Sequence, residues 1–363
     1  MFQRILIPLD GSRRAEEAIP VAARIARSTG GTIVLARAVT SLIDATWYPA
    51  YLEDRREYGP VWYPVNPSGR QGQVINSDVD GAKEYLTTVA LSPELAGIET
   101  ILEVLPGDPA HTILLIARSQ NVDLIVMCSR GETGLKRWLL GSVAQKVARH
   151  SPIPVFILRE GAEKLSRVQP EGKRAVRILV PLDESLVAEA ALLPAAQLSA
   201  ALSTPMHGTL HLARILPLPA IEDIEDKGRE EIAKAAKAYA LKEATSYLHT
   251  IEHQLQKGDT FNGMPSNLEV TTSVVVDTDI AGRLMRMAES GEDKEGSFTV
   301  GPCDIIALAT HGRGGVGRWL VGSTTERILE STQLPLLIIR PQKAQVKKDH
   351  TSVEAEQLSH RSE

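Results

Sequence analysis

Cysteine is nearly absent from this chain: its 363 residues include only Cys128 and Cys303. Neither stands in a Cys-x-x-Cys spacing or beside a histidine cluster, which argues against a disulfide framework and a structural zinc site. A large charge of either sign is also missing. Forty Lys and Arg face 45 Asp and Glu, a net charge of −5, so nothing calls for a polyanion such as nucleic acid as a partner. No apolar run nears the ~18 residues of a membrane-spanning helix, and the amino-terminal run stops at Asp10, too short for a leader. These absences lead us to expect a protein of the reducing cytoplasm, with neither a membrane nor a nucleic-acid partner. At roughly 100–200 residues per domain, the length calls for two domains, and 43% apolar residues is ordinary globular usage.

What is present is written twice. Ile5-Leu-Ile-Pro-Leu-Asp10 returns as Ile178-Leu-Val-Pro-Leu-Asp183, and Gly131-Glu-Thr-Gly-Leu-Lys-Arg-Trp-Leu-Leu-Gly141-Ser142 returns as Gly312-Arg-Gly-Gly-Val-Gly-Arg-Trp-Leu-Val-Gly322-Ser323. Asp108-Pro-Ala110 corresponds to Asp279-Ile-Ala281, and the copies end alike in Pro154-Val-Phe-Ile-Leu-Arg159 and Pro335-Leu-Leu-Ile-Ile-Arg340. The period is too long for a solenoid and reads as two copies of one domain. Within each copy, continuously apolar runs alternate with segments of helical period, the pattern of βαβ units whose parallel sheet is covered on both faces. Strands are expected at 4–9, 32–39, 99–105, 123–128 and 154–158, then at 176–182, 209–216, 268–276, 304–309 and 335–340. A long helix is expected at 222–256, with apolar positions Ile232, Ala236, Tyr239, Leu248, Ile251 and Leu255. The expected organisation is domain 1 at 1–160, a linker at 161–175, domain 2 at 176–341 and a disordered tail at 342–363. Residues 44–77 interrupt the first copy with Trp47, Tyr48, Tyr51, Tyr58, Trp62 and Tyr63, an insertion open to reading as a lid, a contact surface or a mobile loop.

Ligands of such sheets bind at the carboxyl edge, where helix N-termini present unpaired N–H groups to anions. Ser142 with Gln145 and Ser323 with Glu326 have capping-box spacing, so each serine reads first as a helix cap. A cap leaves unexplained Gly131 and Gly312, each separated by nine residues from the glycine before the serine, and the basic residues Arg137 and Arg318. A glycine-rich turn ending at a helix dipole suits phosphate. GxxxxGK[ST] is absent, and the GxGxxG at Gly312–Gly317 follows the fourth strand rather than the first, which argues against a P-loop and a dinucleotide fingerprint. His311 has Arg130 as its counterpart, and no Ser/His/Asp set repeats, so no catalytic residue is assigned.

These residues resemble the universal stress protein family, whose ATP-binding members carry Gly-x-x-Gly, nine residues and Gly-Ser/Thr after strand four, with an Asp ending strand one. The likeness covers nearly all of residues 1–160 and 175–341. It implies two tandem Rossmann-like, adenine-nucleotide α-hydrolase-like α/β domains, each a five-stranded parallel sheet with helices on both faces. It also implies ATP, with Mg²⁺, as ligand. Asp10 and Asp183 would lie at the adenine end with main-chain contacts from Ala38 or Val39 and from Ile215; Cys128 and Ala309 would lie at the ribose; Gly131, Gly141 and Ser142, or Gly312, Arg313, Gly322 and Ser323, would lie at the phosphates. Cys128 and Ala309 replace the first glycine of the signature, and Glu132 stands where Arg313 stands in the second copy, which ranks the second copy as the better site. The resemblance further implies a pseudo-dimer of the copies through their last strands, and a homo-oligomer is possible. The expected role is nucleotide-responsive stress regulation with little or no hydrolysis; the alternative is a scaffold that keeps the fold without the nucleotide.

Overall fold

The computed structural model describes residues 2–40, 46–50, 61–65, 71–129, 140–166, 175–217, 227–257, 263–266, 268–291, 301–310 and 322–341. The chain separates into two compact units, Met1–Val168 and Gln169–Glu363.

The first unit is built on a parallel sheet of β1 (Arg4–Pro8), β2 (Thr32–Val39), β5 (Thr100–Pro106), β6 (Leu124–Cys128) and β7 (Val155–Leu158), in the order β7-β6-β1-β2-β5. The second repeats it with β8 (Arg177–Pro181), β9 (Gly208–Leu216), β10 (Leu268–Val276), β11 (Ile305–Ala309) and β12 (Leu336–Ile339), in the order β10-β9-β8-β11-β12. All ten strands lie where the apolar runs place them. The inner strands are buried at their centres, and Leu124–Cys128 throughout, because helices cover both faces. Asp123 accepts the main-chain N–H groups of Gln3 and Arg4 at 2.7 and 3.1 Å, and Asp304 accepts that of Arg177 at 2.8 Å. In each copy a carboxylate just before the fourth strand therefore sets the level at which the first strand begins.

In the first unit the helices are α1 (Arg13–Glu16), α2 (Ala18–Thr29), α3 (Gln71–Ala90), α4 (Pro109–Ser119) and α5 (Ser142–His150). In the second they are α6 (Leu186–Glu189), α7 (Leu192–Ser203), α8 (Lys227–Lys257), α9 (Ile280–Ser290) and α10 (Ser323–Ser331). The repeated Asp108 and Asp279 prove to be N-caps, accepting the N–H groups of His111 at 3.2 Å and Gly282 at 3.0 Å.

Three expectations change. Residues Leu186–Ser203 are long and apolar enough by composition to cross a membrane, although no such stretch was expected. They form α6 and α7 rather than one rod, and over half of the stretch is buried, as befits a core helix lying against β8 and β9. Within α8, Leu248, Ile251 and Leu255 are buried as the periodicity requires, whereas Ile232 and Tyr239 are 72% and 67% exposed. The core-facing stripe runs back through Ala244 along another line. The insertion at 44–77 holds an antiparallel hairpin, β3 (Thr46–Ala50) with β4 (Val61–Val65), and from Gln71 onward it is already α3. Of the expected linker at 161–175, Ala162–Ser166 form a 3-10 turn, while 167–174 and the tail at 342–363 lie outside the described residues.

Candidate functional site

β1 and β6 are neighbours, as are β8 and β11, so the two carboxyl ends that carry the expected residues meet in each unit. Asp10 and Asp183 are exposed and organise the turn after the first strand. Asp10 Oδ1 accepts the main-chain N–H of Ser12 at 2.9 Å and its hydroxyl at 2.6 Å. Asp183 Oδ1 likewise accepts the N–H of Ser185 at 3.1 Å and its hydroxyl. Ser12 and Ser185 in turn cap α1 and α6. One carboxylate oxygen thus serves the turn, as a bland structural role would have it, while the group stays at the solvent-facing edge.

Cys128 ends β6 and Ala309 ends β11 at matching registers. Burial pushes the Cys128 thiol up to about 12, helped by the Glu17 carboxylate and opposed by Arg14, with Asp10 adding a smaller upward push. The thiol therefore stays neutral and inert at physiological pH. The parallel pairing of β1 with β6 places the first turn beside the end of the fourth strand.

The chain comes back to this edge after the glycine loop. Gly141 N–H donates to the Ser129 carbonyl at 2.7 Å, which closes the loop onto the strand it left. Here the capping-box reading fails: Gly141 and Gly322, not the serines, are the N-caps, and Ser142 and Ser323 are the first helical residues. No side chain caps either helix, and the first intrahelical bonds run from Gln145 N–H to the Gly141 carbonyl at 2.9 Å and from Glu326 N–H to the Gly322 carbonyl at 3.0 Å. The leading N–H groups of α5 and α10 have no intrahelical acceptor and carry the positive end of the helix dipole. Gly322 has an ordinary φ of −57°. Among the described residues, a Cβ built on it meets no atom within 4 Å, so none of them requires a glycine there. Gly131, Gly312 and Arg313 lie outside the described residues, as do Arg130, Glu132, Arg137, His311 and Arg318.

Of the main-chain partners expected at the end of the second strand, Ala38 rather than Val39 is the match of Ile215. Thr32 stands opposite Arg4 and Thr209 opposite Arg177, which makes Leu216 the counterpart of Val39 and Ile215 that of Ala38. The carbonyls of Val39 and Leu216 accept the N–H groups of Gly107 at 3.0 Å and Asp277 at 3.1 Å.

A repeated set escaped sequence reasoning. Tyr85 Oη donates to Glu16 Oε1 at 2.7 Å and Tyr247 Oη to Glu189 Oε1 at 2.8 Å, and in the first copy Arg37 of the second strand lies over the Tyr85 ring. The glutamates are 173 positions apart but the tyrosines only 162, because unequal insertions precede α3 and α8. No constant offset would align them. Burial, then the hydrogen bond to the glutamate and its charge, raise both phenols well above the usual tyrosine range. The stabilisation linked to these raised values is present below about pH 10 and is lost as pH rises through the folded-state values. An alkaline absorbance titration should show Tyr85 and Tyr247 ionising last, coincident with unfolding. Tyr85→Phe should remove one of the two late ionisations and cost about 1–2 kcal/mol. A parent in which all tyrosines ionise together near pH 10 would show the pairs to be loose in solution.

Known proteins are similar to this chain in sequence and in fold. The model of the universal stress protein family matches residues 1–159 and 301–340, the latter being the strand, loop, helix and strand that close the second copy. A universal stress protein of Methanocaldococcus jannaschii is 31% identical over 161 residues, covering 44% of this chain and 84% of that one. One from Bacillus subtilis is 29% identical over 166 residues, covering 44% of this chain and 100% of that one. Among solved structures, a universal stress protein from Archaeoglobus fulgidus superposes with a TM-score of 0.59 at 20% identity, covering 93% of this chain and 98% of that one, a likeness of fold. The family model covers more than half of the residues: this chain belongs to the universal stress protein family.

Proposed function

We propose that the chain binds ATP, more tightly in its second copy, and acts as a nucleotide-responsive stress or regulatory factor rather than as a catalyst. One observation supports the reading above others: in both units a glycine-led, side-chain-uncapped helix N-terminus starts at the same edge as the aspartate of the first turn. The N–H groups of residues 322–324 suit a phosphate, and Ala309 intrudes less on a ribose than the thiol of Cys128. Arg313 adds a cation to the second loop where the first has Glu132. Mg²⁺ would be held chiefly by the phosphates; among the described residues no group of three or more carboxylate, histidine or thiol side chains is placed to hold a metal ion.

The test is mass spectrometry of nucleotide released from purified protein by mild denaturation, followed by calorimetric titration with MgATP. ATP should be released, and phosphate production should stay below ~1 s⁻¹, the low end of ordinary enzymes. Fast turnover would reject the regulatory reading. A protein that neither carries nor takes up ATP would favour a scaffold role, which Cys128 and Ala309 at the signature's first glycine already make concrete.

A further inference from the structure

The two copies repeat the turn after the first strand in all but its middle residue. Asp10-Gly11-Ser12 corresponds to Asp183-Glu184-Ser185, and both middle residues have positive φ, 91° for Gly11 and 70° for Glu184. That backbone favours glycine, yet the second copy holds a glutamate in it. Arg37 and Arg214 occupy the same register position, one residue past the Ala36 and Ala213 that stand opposite Pro8 and Pro181. In the first copy the Arg37 guanidinium lies against the bare turn: a Cβ on Gly11 would be 3.2 Å from Nη2 and 3.4 Å from Nη1 and Cζ. The centroid of the Tyr85 ring is 4.7 Å from the same Cζ. Among the described residues no carboxylate is in ion-pair contact with Arg37. In the second copy Glu184 reaches the equivalent arginine, with Oε1 3.5 Å from Arg214 Nε. One guanidinium therefore has its charge answered by a carboxylate, and the other keeps its donors for something else.

In the nucleotide reading above, the base lies between the aspartate of the first turn and the main chain at the end of the second strand. Arg37 touches both: it directly precedes Ala38 on β2, and its guanidinium rests on the turn that Asp10 opens. Asp10 and Asp183 do not distinguish the copies, since each commits Oδ1 to its serine in the same way. The arginine does. Guanine presents O6 and N7, two neighbouring acceptors that match the planar fork of a guanidinium, whereas adenine carries at the O6 position an amino group, a donor facing a donor. Contact with the Tyr85 ring holds the fork in place before any ligand arrives. In the second copy the fork is engaged, and Glu184 adds an acceptor that suits the amino group of adenine and repels the O6 of guanine.

We infer that the first copy prefers a guanine nucleotide, with Arg37 as the residue that selects the base, and that the pairing of Glu184 with Arg214 keeps the second copy for adenine. This rests on the nucleotide reading above. The full chain would be titrated calorimetrically with MgGTP and with MgATP, each alone and with the other saturating. Two sites per chain should appear, one preferring GTP and one preferring ATP. Arg37→Gln should weaken GTP about tenfold or more at the first of these, a loss of at least about 1.4 kcal/mol. Arg37→Lys should weaken it too, because lysine keeps the charge and loses the fork; an arginine that merely attracted phosphate would be rescued by lysine. Glu184→Gly suits the positive φ, releases Arg214 and should shift the second site toward GTP. Unchanged GTP affinity in Arg37→Gln, or full affinity in Arg37→Lys, would overturn the inference. Should the Arg37 variants fail to fold, an undiminished ATP preference in Glu184→Gly overturns it instead. ATP binding with no GTP-preferring site in the parent sinks this inference alone; binding of neither nucleotide sinks the nucleotide reading and this one with it.

Discussion

Gly322→Val is expected to abolish ATP uptake by the second copy, a loss on the order of 100-fold or about 2.8 kcal/mol, while the protein stays folded. The structure makes this a clean experiment. The residue has an ordinary φ of −57°. A Cβ there meets nothing within 4 Å, so valine collides with no part of the described protein. The cost to the fold is that of a poorer N-cap residue, about 1 kcal/mol. The added methyl groups stand in front of the N–H groups that begin α10, where a phosphate oxygen has to come within hydrogen-bond distance. Ser323→Ala, by contrast, should be mild, because Ser323 is the first helical residue and caps nothing. Calorimetric titration measures the affinity, and circular dichroism with a cooperative melt measures the fold. If Gly322→Val takes up ATP as the parent does, the glycine is only part of a turn and the phosphate assignment is wrong.

A second glycine should show the reverse, a fold penalty at a distance from any ligand. Gly208 opens β9, and a Cβ built on it would lie 2.6 Å from Ser199 Oγ, 2.7 Å from the Ala200 main-chain nitrogen and 2.8 Å from the Ser199 carbonyl carbon. Backbone cannot swing aside as a side-chain tip can. The same serine hydroxyl accepts the N–H of Thr209 at 2.8 Å and donates to the Val176 carbonyl at 2.9 Å, so α7 is fastened to β9 and to the start of β8 at the point where it would be pushed. Gly208→Ala should cost about 3 kcal/mol, the upper end of ordinary overpacking. For a unit of this size that lowers the melting temperature by roughly 6–12 °C. ATP affinity below the melt should not change, since Gly208 lies at the amino end of its strand and the candidate site at the carboxyl end. A melt unmoved by the substitution would mean that α7 slides outward without loss.

Sequence alone determined that there are two copies, that each is a parallel α/β sheet, where the ten strands run and which aspartates follow the first strands. The physical reason is locality: a strand covered on both faces must be apolar along its whole length, and a strand-end aspartate or a glycine loop is a short contiguous pattern. The repeated Asp108 and Asp279 were likewise visible as repeats before they proved to be caps. Only the tertiary structure decided which residue begins the last helix of each copy. Ser142 and Gly141 are adjacent and both acceptable as N-caps, and the choice follows from where the loop turns back, at the bond from Gly141 N–H to the Ser129 carbonyl. The register of β9 against β8 made Leu216 rather than Ile215 the counterpart of Val39. Packing, too, left Ile232 of α8 in solvent although it is as apolar as the buried Ile251. The Arg37–Tyr85–Glu16 set and its counterpart needed the fold most of all, since three elements separated by unequal insertions contribute one residue each. Distances through space are conserved between the copies where distances along the chain are not.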